Sequence, residues 1–492
     1  MYFCNVFNIV FDMIKINASR NVPELSSLVL LATAESDFEN CGLSDDEIHY
    51  VKTQIEVKSE RIAVNKAGRW IFVQPVDCAS ASSKADADRE KMRRDAYKLH
   101  QFVVQQKIRS LAVVDLVKRA FLSFAFAEGM ALSNYQFLNY SGKKSEKEHS
   151  LSELIIVSDI DEMYINRLIF VTEAVYKARD LVNEPPNVLT PAALAAEFVT
   201  MGKNAGLEVT VFDKAEIEKM NMGGILSVNM GSIEEPTFTV LEWKPDNAKN
   251  GRPIVLVGKG LTYDTGGHNL KTGNYMDDMK SDMAGGAAVA AVVYAAAKTQ
   301  LPIHVVALVP ATDNRISANA ISPGDIITIS GGTTVEVVNT DAEGRLILAD
   351  ALVFANKYDP ELVISVATLT GSAQRAVGNR GMAGMGNAPR KTMELLKECG
   401  EIIHERIVEF PLWDDYAEEL KSDFADLKNV GSEYAGMTTA GKFLEHFTSY
   451  PFIHLDIAGA AYAKEAKCYR GKGATGVGVR LLLKFLIELH NE

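Results

Sequence analysis

The sequence predicts an α/β protein with two domains. The larger, C-terminal domain (residues 183–492) is expected to hold a mostly parallel mixed sheet with helices on both faces, and a smaller α/β domain (1–157) precedes it. Two observations support this interpretation. A chain of 492 residues exceeds what one hydrophobic core usually supports. Apolar runs alternate with helical patterns after a connecting helix predicted at 158–182.

The elements before the junction form a mixed pattern. Short apolar runs such as Trp70–Val73 alternate with charged helical stretches such as Ala85–Gln106, and the apolar start Met1–Ile14 is interpreted as a first strand. The connecting helix carries apolar residues at helical spacing. It stops before Asn183–Asn187, where paired prolines end helical geometry. The junction between domains is therefore expected here.

Strands and helices alternate in the larger domain. Its predicted strands are Pro253–Val257, Ile303–Pro310, Val335–Val338, Leu362–Leu369 and Phe452–Ile457, and its predicted helices are Asp277–Lys298 and Arg345–Lys357. Continuous apolar runs of this length are typical of strands buried on both faces, as in parallel sheets. Ligands bind such sheets at the carboxyl ends of the strands.

Composition excludes several classes of protein. The chain is 47% hydrophobic and 23% charged, and no run of eighteen apolar residues could span a bilayer. Five scattered cysteines without a C-x-x-C pair argue against a disulfide framework, so a reducing, cytoplasmic location is expected. A net charge of −13 disfavours nucleic-acid binding, and no membrane partner is expected.

The first unusual cluster follows a predicted strand. It runs from Val257 to Gly267 and includes Lys259 and Asp264, and Lys271 and Asp282 follow it. Its glycines let the backbone pass close to a ligand or to another segment. A phosphate-binding loop is an alternative, but neither G-x-x-x-x-G-K-[ST] nor G-x-G-x-x-G is present.

The second cluster is Asn339–Leu346, again directly after a predicted strand. Asp341 and Glu343 alternate in a segment expected to be extended, so their carboxylates could project the same way. Together with Asp264 and Asp282 they would repel one another in a buried site unless a cation compensates. The sequence therefore predicts divalent metal, with two ions sharing bridging carboxylates.

The segment Asn339–Leu346 matches, residue for residue, the signature octapeptide of the leucyl aminopeptidase family of metallopeptidases, and the chain resembles that family from Asn183 to its C-terminus. The resemblance includes Ala367–Gly371 and the late run His454–Gly459. The N-terminal third is similar to the family only in size and placement. The resemblance implies an aminopeptidase that removes N-terminal leucine and other apolar residues from peptides with a metal-activated water.

The resemblance also implies two divalent ions per subunit, Zn²⁺ or Mn²⁺, with Mg²⁺ and Co²⁺ as alternatives, because hard oxygen ligands suit all of them. One ion would be bound by Lys259, Asp264, Asp282 and Glu343. The other would be bound by Asp264, Glu343 and both the carboxylate and the main-chain carbonyl of Asp341. Lys259 must then be neutral to donate a lone pair.

Catalytic roles follow from the same resemblance. Lys271 would stabilise the developing oxyanion. Arg345 would hold a bicarbonate ion that shuttles a proton. The residues implied to bind substrate are Met279, Asn339, Thr368, Leu369, Gly371, Ala458 and Ala461. Ala461 stands where some relatives carry a larger methionine, so a wider pocket for bulkier side chains is expected.

Two rival functions remain at this stage. A two-metal phosphoesterase also uses bridging carboxylates, although histidines normally accompany them. A catalytically silent or DNA-binding scaffold on the same fold is the other alternative. The family resemblance further implies a homohexamer, a dimer of trimers.

Overall fold

The structure is a computed structural model that describes residues 13–77 and 85–489. The described chain divides into two compact units. One comprises the chain through Glu173 with Ile402–His404 and Ala466–Gly471, and the other comprises the remainder. Most of the first strand expected at Met1–Ile14 lies outside the described residues, and the first described strand begins at Lys15.

The first unit is built on a six-stranded sheet. Its strands are β1 (Lys15–Ser19), β2 (Ser27–Ala32), β3 (Ile62–Lys66), β4 (Arg69–Pro75), β5 (Ser110–Asp115) and β6 (Glu153–Val157). They lie in the order β1-β6-β5-β2-β4-β3, and β3–β4 is the antiparallel pair. The apolar strand β2 is buried along its whole length, as expected of an internal parallel strand.

Helices cover this sheet on both faces. They are α1 (Asp45–Glu56), α2 (Ala85–Gln105) and α3 (Ala120–Ser133), whereas the short α4 (Lys144–Lys147) is exposed. Val29 and Leu31 of β2 pack in one core with residues of α2 and α3, whereas Leu28 and Leu30 pack in another with Val51 of α1. Successive residues of a strand face opposite sides of a sheet, so one apolar strand serves both cores.

The predicted connecting helix is α5 (Glu162–Asn183), which ends at the paired prolines. In the second unit the helices are α6 (Pro191–Ala205), α7 (Lys214–Lys219), α8 (Gly223–Asn229), α9 (Ala284–Lys298), α10 (Gly344–Ala355), α11 (Gly371–Val377), α12 (Arg390–Ile403), α13 (Asp415–Glu418), α14 (Gly436–Glu445) and α15 (Val479–Leu489). The predicted Arg345–Lys357 helix is α10 with a further 3₁₀ turn at Asn356–Tyr358.

The main sheet of the second unit has nine strands. They are β7 (Glu208–Phe212), β8 (Thr237–Trp243), β9 (Ile254–Gly258), β10 (Gly260–Asp264), β11 (Val305–Asn314), β14 (Leu362–Ala367), β15 (Met382–Gly386), β16 (Ile407–Glu409) and β18 (Phe452–Asp456). The central strands β18, β14, β9 and β11 are mutually parallel, and antiparallel pairs flank them. The predicted mostly parallel mixed sheet is confirmed.

Helices also lie on both faces of this sheet. Val255 and Val257 of β9 share a core with α10, whereas Gly258 is so close to α9 that an added Cβ would lie 2.6 Å from the Gly285 carbonyl oxygen. Glycine is therefore required where α9 meets the strand. This close approach brings the start of α9 to the carboxyl end of β9.

Two predicted elements are wrong in detail. The helix expected at Asp277–Lys298 begins only at Ala284, because the chain before it makes a 3₁₀ turn at Met279–Ser281. The strand expected at Val335–Val338 is β13 (Thr334–Glu336), which belongs to a separate three-stranded sheet with β12 (Ile326–Thr328) and β17 (Leu427–Lys428). A short pair, β19 (Tyr462–Ala463) and β20 (Gly473–Ala474), completes the described strands.

Candidate metal centre

Polar residues gather where the central parallel strands end. Lys259 follows β9, Asn314 ends β11, Thr368 follows β14 and Asp456 ends β18. Because these strands are parallel, their carboxyl ends meet at one edge of the sheet. The chain returns to the same edge at Asp264, the last residue of β10, which is also parallel to β11.

Lys259 is the most enclosed cation of this edge, with 2% of its surface exposed. Its Nζ lies 2.7 Å from Asp282 Oδ2 and 2.9 Å from Glu343 Oε1. It also donates to the carbonyl oxygen of Thr368 at 3.3 Å. Burial disfavours the ammonium form, but the surrounding carboxylates outweigh burial and raise the pKa of Lys259 above its ordinary value.

Lys271 holds the other pair of acids. Its Nζ lies 2.6 Å from Asp264 Oδ2 and 2.5 Å from Asp341 Oδ1. Burial opposes its charge as well, yet Asp264 and the other carboxylates raise the pKa of Lys271. Each lysine thus lies between two carboxylates, which favour its ammonium form.

Three carboxylates converge closely. Asp264, Asp341 and Glu343 each offer an oxygen, and these oxygens lie within 4.8 Å of one another. Asp264 and Glu343 are buried, and Asp341 is partly exposed. Such a set can hold a divalent cation through oxygen ligands, the donors that hard cations prefer.

Burial shifts the protonation of these acids. It raises the pKa of Asp264, Asp282 and Asp341, because the low-dielectric surroundings disfavour the carboxylate. Burial also acts on Glu343, but Lys259 and Lys271 outweigh it and lower the pKa of that residue. The cluster thus carries more negative charge than its surroundings stabilise.

The charge balance of the cluster fits a bound divalent cation. Two ammonium groups balance two of the four carboxylates, so negative charge remains in a buried site. The Oε2 atom of Glu343 is buried and has no hydrogen-bond partner among the described residues. An unpaired buried carboxylate oxygen costs free energy unless a ligand occupies it. A divalent cation bound here would offset the remaining negative charge.

Asp341 and Glu343 reach the cluster by a route that the sequence did not predict. The segment expected to be extended is a turn, in which the Asp341 amide donates to Asn339 Oδ1 at 2.8 Å. Glu343 already has helical angles (φ −73°, ψ −35°) as the N-cap of α10. The helix start, which favours negative charge, therefore aims both carboxylates at one site.

Arg345 lies in the first turn of α10 and is buried. Its Nη1 donates to the carbonyl oxygen of Asn429 at 2.7 Å, and its Nε has no partner among the described residues. Burial lowers the pKa of Arg345 to about 10. The guanidinium is thus anchored at one nitrogen and has donor capacity left.

Some of the predicted substrate residues are joined to this cluster. Thr368 Oγ1 donates to Asp282 Oδ1 at 2.7 Å. The amides of Leu369 and Ala458 donate to Asp456 Oδ1 at 3.1 and 3.2 Å. The segments Ala367–Gly371 and His454–Gly459 therefore both donate hydrogen bonds to the buried carboxylate of Asp456.

The remaining predicted substrate residues lie at varied positions. The Met279 carbonyl oxygen accepts from the Asp282 amide at 3.3 Å, and Asn339 belongs to the turn described above. Gly371 is exposed at the start of α11, and Ala461 is buried. No hydrogen bond within residues 13–77 and 85–489 links Gly371 or Ala461 to the acidic cluster.

Sequence reasoning assigned no role to three residues that support the site. Asn314 donates to Asp264 Oδ1 at 2.9 Å and to the Thr340 carbonyl oxygen at 3.1 Å. Asp456 accepts the two amides given above, and burial raises its pKa to about 6. The main-chain carbonyl oxygen of Asn429 accepts a hydrogen bond from Arg345. In the sequence, Asn314 could have been found from the polar residues that end β11, and Asp456 from its place in the run His454–Gly459.

Comparison with known proteins decides the family. Residues 176–483 match the family model described as "Cytosol aminopeptidase family, catalytic domain". The chain belongs to this family. It is a metal-dependent aminopeptidase, a hydrolase that acts on peptide bonds, as the sequence predicted.

Relatives cover most of the aminopeptidase. It is 41% identical over 413 residues to the probable cytosol aminopeptidase of Geobacter sp. (strain M21), covering 82% of this chain and 83% of that one. It is 42% identical over 450 residues to the probable cytosol aminopeptidase of Chlorobium limicola (strain DSM 245 / NBRC 103803 / 6330), covering 86% and 88%.

Solved structures share the fold. The bottromycin maturation enzyme BotP in complex with Mn superposes with a TM-score of 0.82 at 28% identity, covering 94% of this chain and 99% of BotP. A mutant of tomato leucine aminopeptidase gives a TM-score of 0.81 at 27% identity, covering 96% of each chain. None of the helices within residues 13–77 and 85–489 is long and apolar enough to cross a membrane.

Proposed function

We propose that this aminopeptidase releases leucine and other apolar residues from the N-termini of peptides in the cytoplasm with two divalent ions per chain. The ions would be held by Lys259, Asp264, Asp282, Asp341 and Glu343. The observation that carries the proposal is the buried, unpartnered Oε2 of Glu343 within a group of carboxylates that outnumber their cations.

The ligands divide into two overlapping sets. Lys259, Asp264, Asp282 and Glu343 would bind one ion, and Asp264, Asp341 (also through its carbonyl oxygen) and Glu343 the other. When bound, the ions polarise the scissile carbonyl, hold the free α-amine and lower the pKa of a water. Zn²⁺ or Mn²⁺ is proposed, with Mg²⁺ or Co²⁺ as alternatives. The manganese in the BotP complex supports a site of this chemistry.

Lys271 is proposed to stabilise the oxyanion that develops on the scissile carbonyl. Its Nζ already lies among the proposed ligands, 2.6 Å from Asp264 Oδ2 and 2.5 Å from Asp341 Oδ1. Donors of this kind contribute roughly 10²- to 10³-fold to kcat.

Arg345 is proposed to hold a bicarbonate ion, which would supply a proton-shuttling group for the attacking water. Two observations support an anion at this place. The guanidinium is buried without a salt bridge within 4.0 Å to any carboxylate among the described residues, and its Nε has no hydrogen-bond partner there. A bound anion would satisfy this donor and offset the burial of the positive charge.

The substrate would lie along the ends of β14 and β18. The proposed contacts are Met279, Asn339, Thr368, Leu369, Gly371, Ala458 and Ala461. Ala461 has a small side chain and would leave more room for bulky apolar substrate residues than a methionine at the same position. A difference of one or two methylene groups there is worth only about 1–3 kcal/mol of discrimination.

The domain boundaries and the assembly are also proposals. The domains would be residues 1–157 and 183–492, joined by the helix at 158–182, and the active form would be a homohexamer.

A panel of aminoacyl-anilides, assayed after chelation and after readdition of Zn²⁺, Mn²⁺, Co²⁺ or Mg²⁺, tests the proposal. We expect leucyl-anilide hydrolysis to disappear on chelation and to return with metal. Phosphoester hydrolysis in the same samples would support a phosphoesterase instead. Absence of hydrolysis with every metal, together with DNA binding, would support the silent scaffold.

A further inference from the structure

Asn429 is a buried polar residue that neither motif predicted. It directly follows β17 and is completely buried. Its Oδ1 accepts from the amides of Val338 and Asn339 at 2.8 and 3.3 Å, and its Nδ2 donates to the Asn339 carbonyl oxygen at 2.7 Å. Its side chain therefore hydrogen-bonds to the backbone that precedes the Asp341 turn.

The main chain of the same residue holds Arg345. The carbonyl oxygen of Asn429 accepts from Arg345 Nη1 at 2.7 Å, and both groups are buried. A hydrogen bond to a charged donor in a buried site is among the stronger ones. One residue thus contacts both the turn that carries Asp341 and the guanidinium beyond it.

The surrounding elements fix Asn429 in turn. Strand β17 pairs in parallel with β13, in the register Val335 with Leu427 and Glu336 with Lys428. The Asn429 amide donates to the Glu336 carbonyl oxygen at 3.0 Å, a hydrogen bond of this pairing. Side-chain rotation at Asn429 is therefore restricted, because backbone and amide bonds on both sides define its position.

We infer that Asn429 is a positioning residue for the peptidase reaction. It sets the distance between the Arg345 guanidinium and the turn that bears Asp341 and Glu343. This inference rests on the proposed function of Arg345, and Asn429 itself contacts neither substrate nor metal in that proposal.

The test compares Asn429→Ala with wild type by kcat, KM and metal content. We expect kcat for leucyl-anilide to fall by roughly 10- to 100-fold, as for other residues that support a site through hydrogen bonds. At saturating metal, KM and the number of bound ions should stay near the wild-type values. Loss of the ions under these conditions, or an unchanged kcat in a folded variant, would overturn the inference.

Asn250→Ala is the matched control. Asn250 is also buried and makes three comparable hydrogen bonds, donating to the Arg252 and His304 carbonyl oxygens and accepting from the His304 amide at 2.7–2.8 Å. It lies near the amino ends of β9 and β11, the edge opposite the site. We expect lower thermal stability and an unchanged kcat.

A double-mutant cycle separates positioning from general structural support. If Asn429 acts through Arg345, the variant carrying both Arg345→Ala and Asn429→Ala should be no slower than Arg345→Ala alone. Additive losses would overturn the inference. If Arg345→Ala itself has wild-type activity, the proposed function of Arg345 fails instead.

Asn429→Asp serves if the alanine variant does not fold. It keeps the acceptor for the two amides and removes the donor to Asn339, so its kcat should lie below that of wild type with both ions retained. Wild-type kcat in this variant would also overturn the inference.

Discussion

Lys259 and Lys271 occupy similar surroundings, but their exposure differs. The side chain of Lys259 is 3% exposed and that of Lys271 is 14% exposed. A fully enclosed amine loses its proton more readily once nearby cations replace the attraction of the carboxylates. At the residue scale, burial therefore favours Lys259 as the neutral ligand and Lys271 as the ammonium group that meets the substrate.

Thr368→Val tests whether the hydrogen bond from Thr368 orients the Asp282 carboxylate for metal binding. The substitution is nearly isosteric and removes the hydroxyl that donates to Asp282 Oδ1 at 2.7 Å. We expect metal affinity, measured by competition with a chelator, to fall by roughly 10- to 100-fold. Thr299→Val removes a hydroxyl bonded to Ala295 in α9 and is the control, with unchanged affinity expected. Equal affinities in both variants would contradict the role of Thr368.

Gly344→Ala tests the packing of α10 against Lys259. An added Cβ would lie 2.4 Å from Lys259 Cε and 2.7 Å from its Nζ, so the flexible amine must move. Alanine in a helix is otherwise favoured over glycine by about 0.5–1 kcal/mol. We expect the urea concentration at the midpoint of unfolding to be unchanged or slightly higher. Leucyl-anilide hydrolysis should fall, because the Lys259 amine is displaced. Full activity of Gly344→Ala would contradict a requirement for Lys259 at its observed position.

At the scale of elements, α10 links the metal centre to the rest of its unit through Asp350. This buried carboxylate accepts from the Ile225 amide in α8 and from the Ser330 amide, both at 2.8 Å. Burial raises its pKa to about 7. The helix that begins with Gly344 is therefore fixed by a group that titrates near neutral pH.

Asp350 should make stability depend on pH. Between its ordinary pKa of 3.8 and about 7, the folded chain binds a proton that the unfolded chain has released, so this group lowers the free energy of unfolding as the pH rises. Asp350→Asn removes the titration. In metal-free protein, urea unfolding from pH 5 to 8 should show wild type losing stability relative to the variant. A constant difference would contradict the raised pKa.

The elements that the sequence predicted well are those whose structure is determined mainly by one local pattern. Buried strands such as β9 and β11 are continuous apolar runs, so their assignment needed no other information. The start of α9 was predicted too early. The helix begins where Gly285 packs closely against the Val366 carbonyl oxygen of the sheet, and a tertiary contact of this kind cannot be predicted from the local sequence. The pairing of β13 with β17 joins residues about ninety positions apart and left no local pattern.

The candidate site shows the same division. Its acids and lysines come from the two clusters visible in the sequence and, for Lys271 and Asp282, from the residues that follow the first cluster. The residues that hydrogen-bond to the site could not be predicted from these motifs, because Asn314 lies 50 residues from Asp264 and Asn429 lies 90 residues from Asn339. Hydrogen-bond partners of this kind are chosen by the fold, and a single polar residue in a sequence carries no mark of such a contact.

At the scale of the whole molecule, the homohexamer can be tested by light scattering. We expect a mass of roughly six times 53.8 kDa, since closed symmetric assemblies are the common form of homo-oligomers. The measurement should be repeated after chelation, to separate assembly from metal binding. A stable monomer with full activity would contradict the proposed hexamer.

The central claim is that Lys259 and the four carboxylates of the metal centre bind two catalytic ions. Metal content per chain, measured by mass spectrometry while leucyl-anilide hydrolysis is followed, tests it most directly. We expect metal-free protein to be inactive, activity to reach its maximum at two ions per chain, and Glu343→Ala to lose both ions and activity. Normal turnover by metal-free protein, or by Glu343→Ala, would contradict the account.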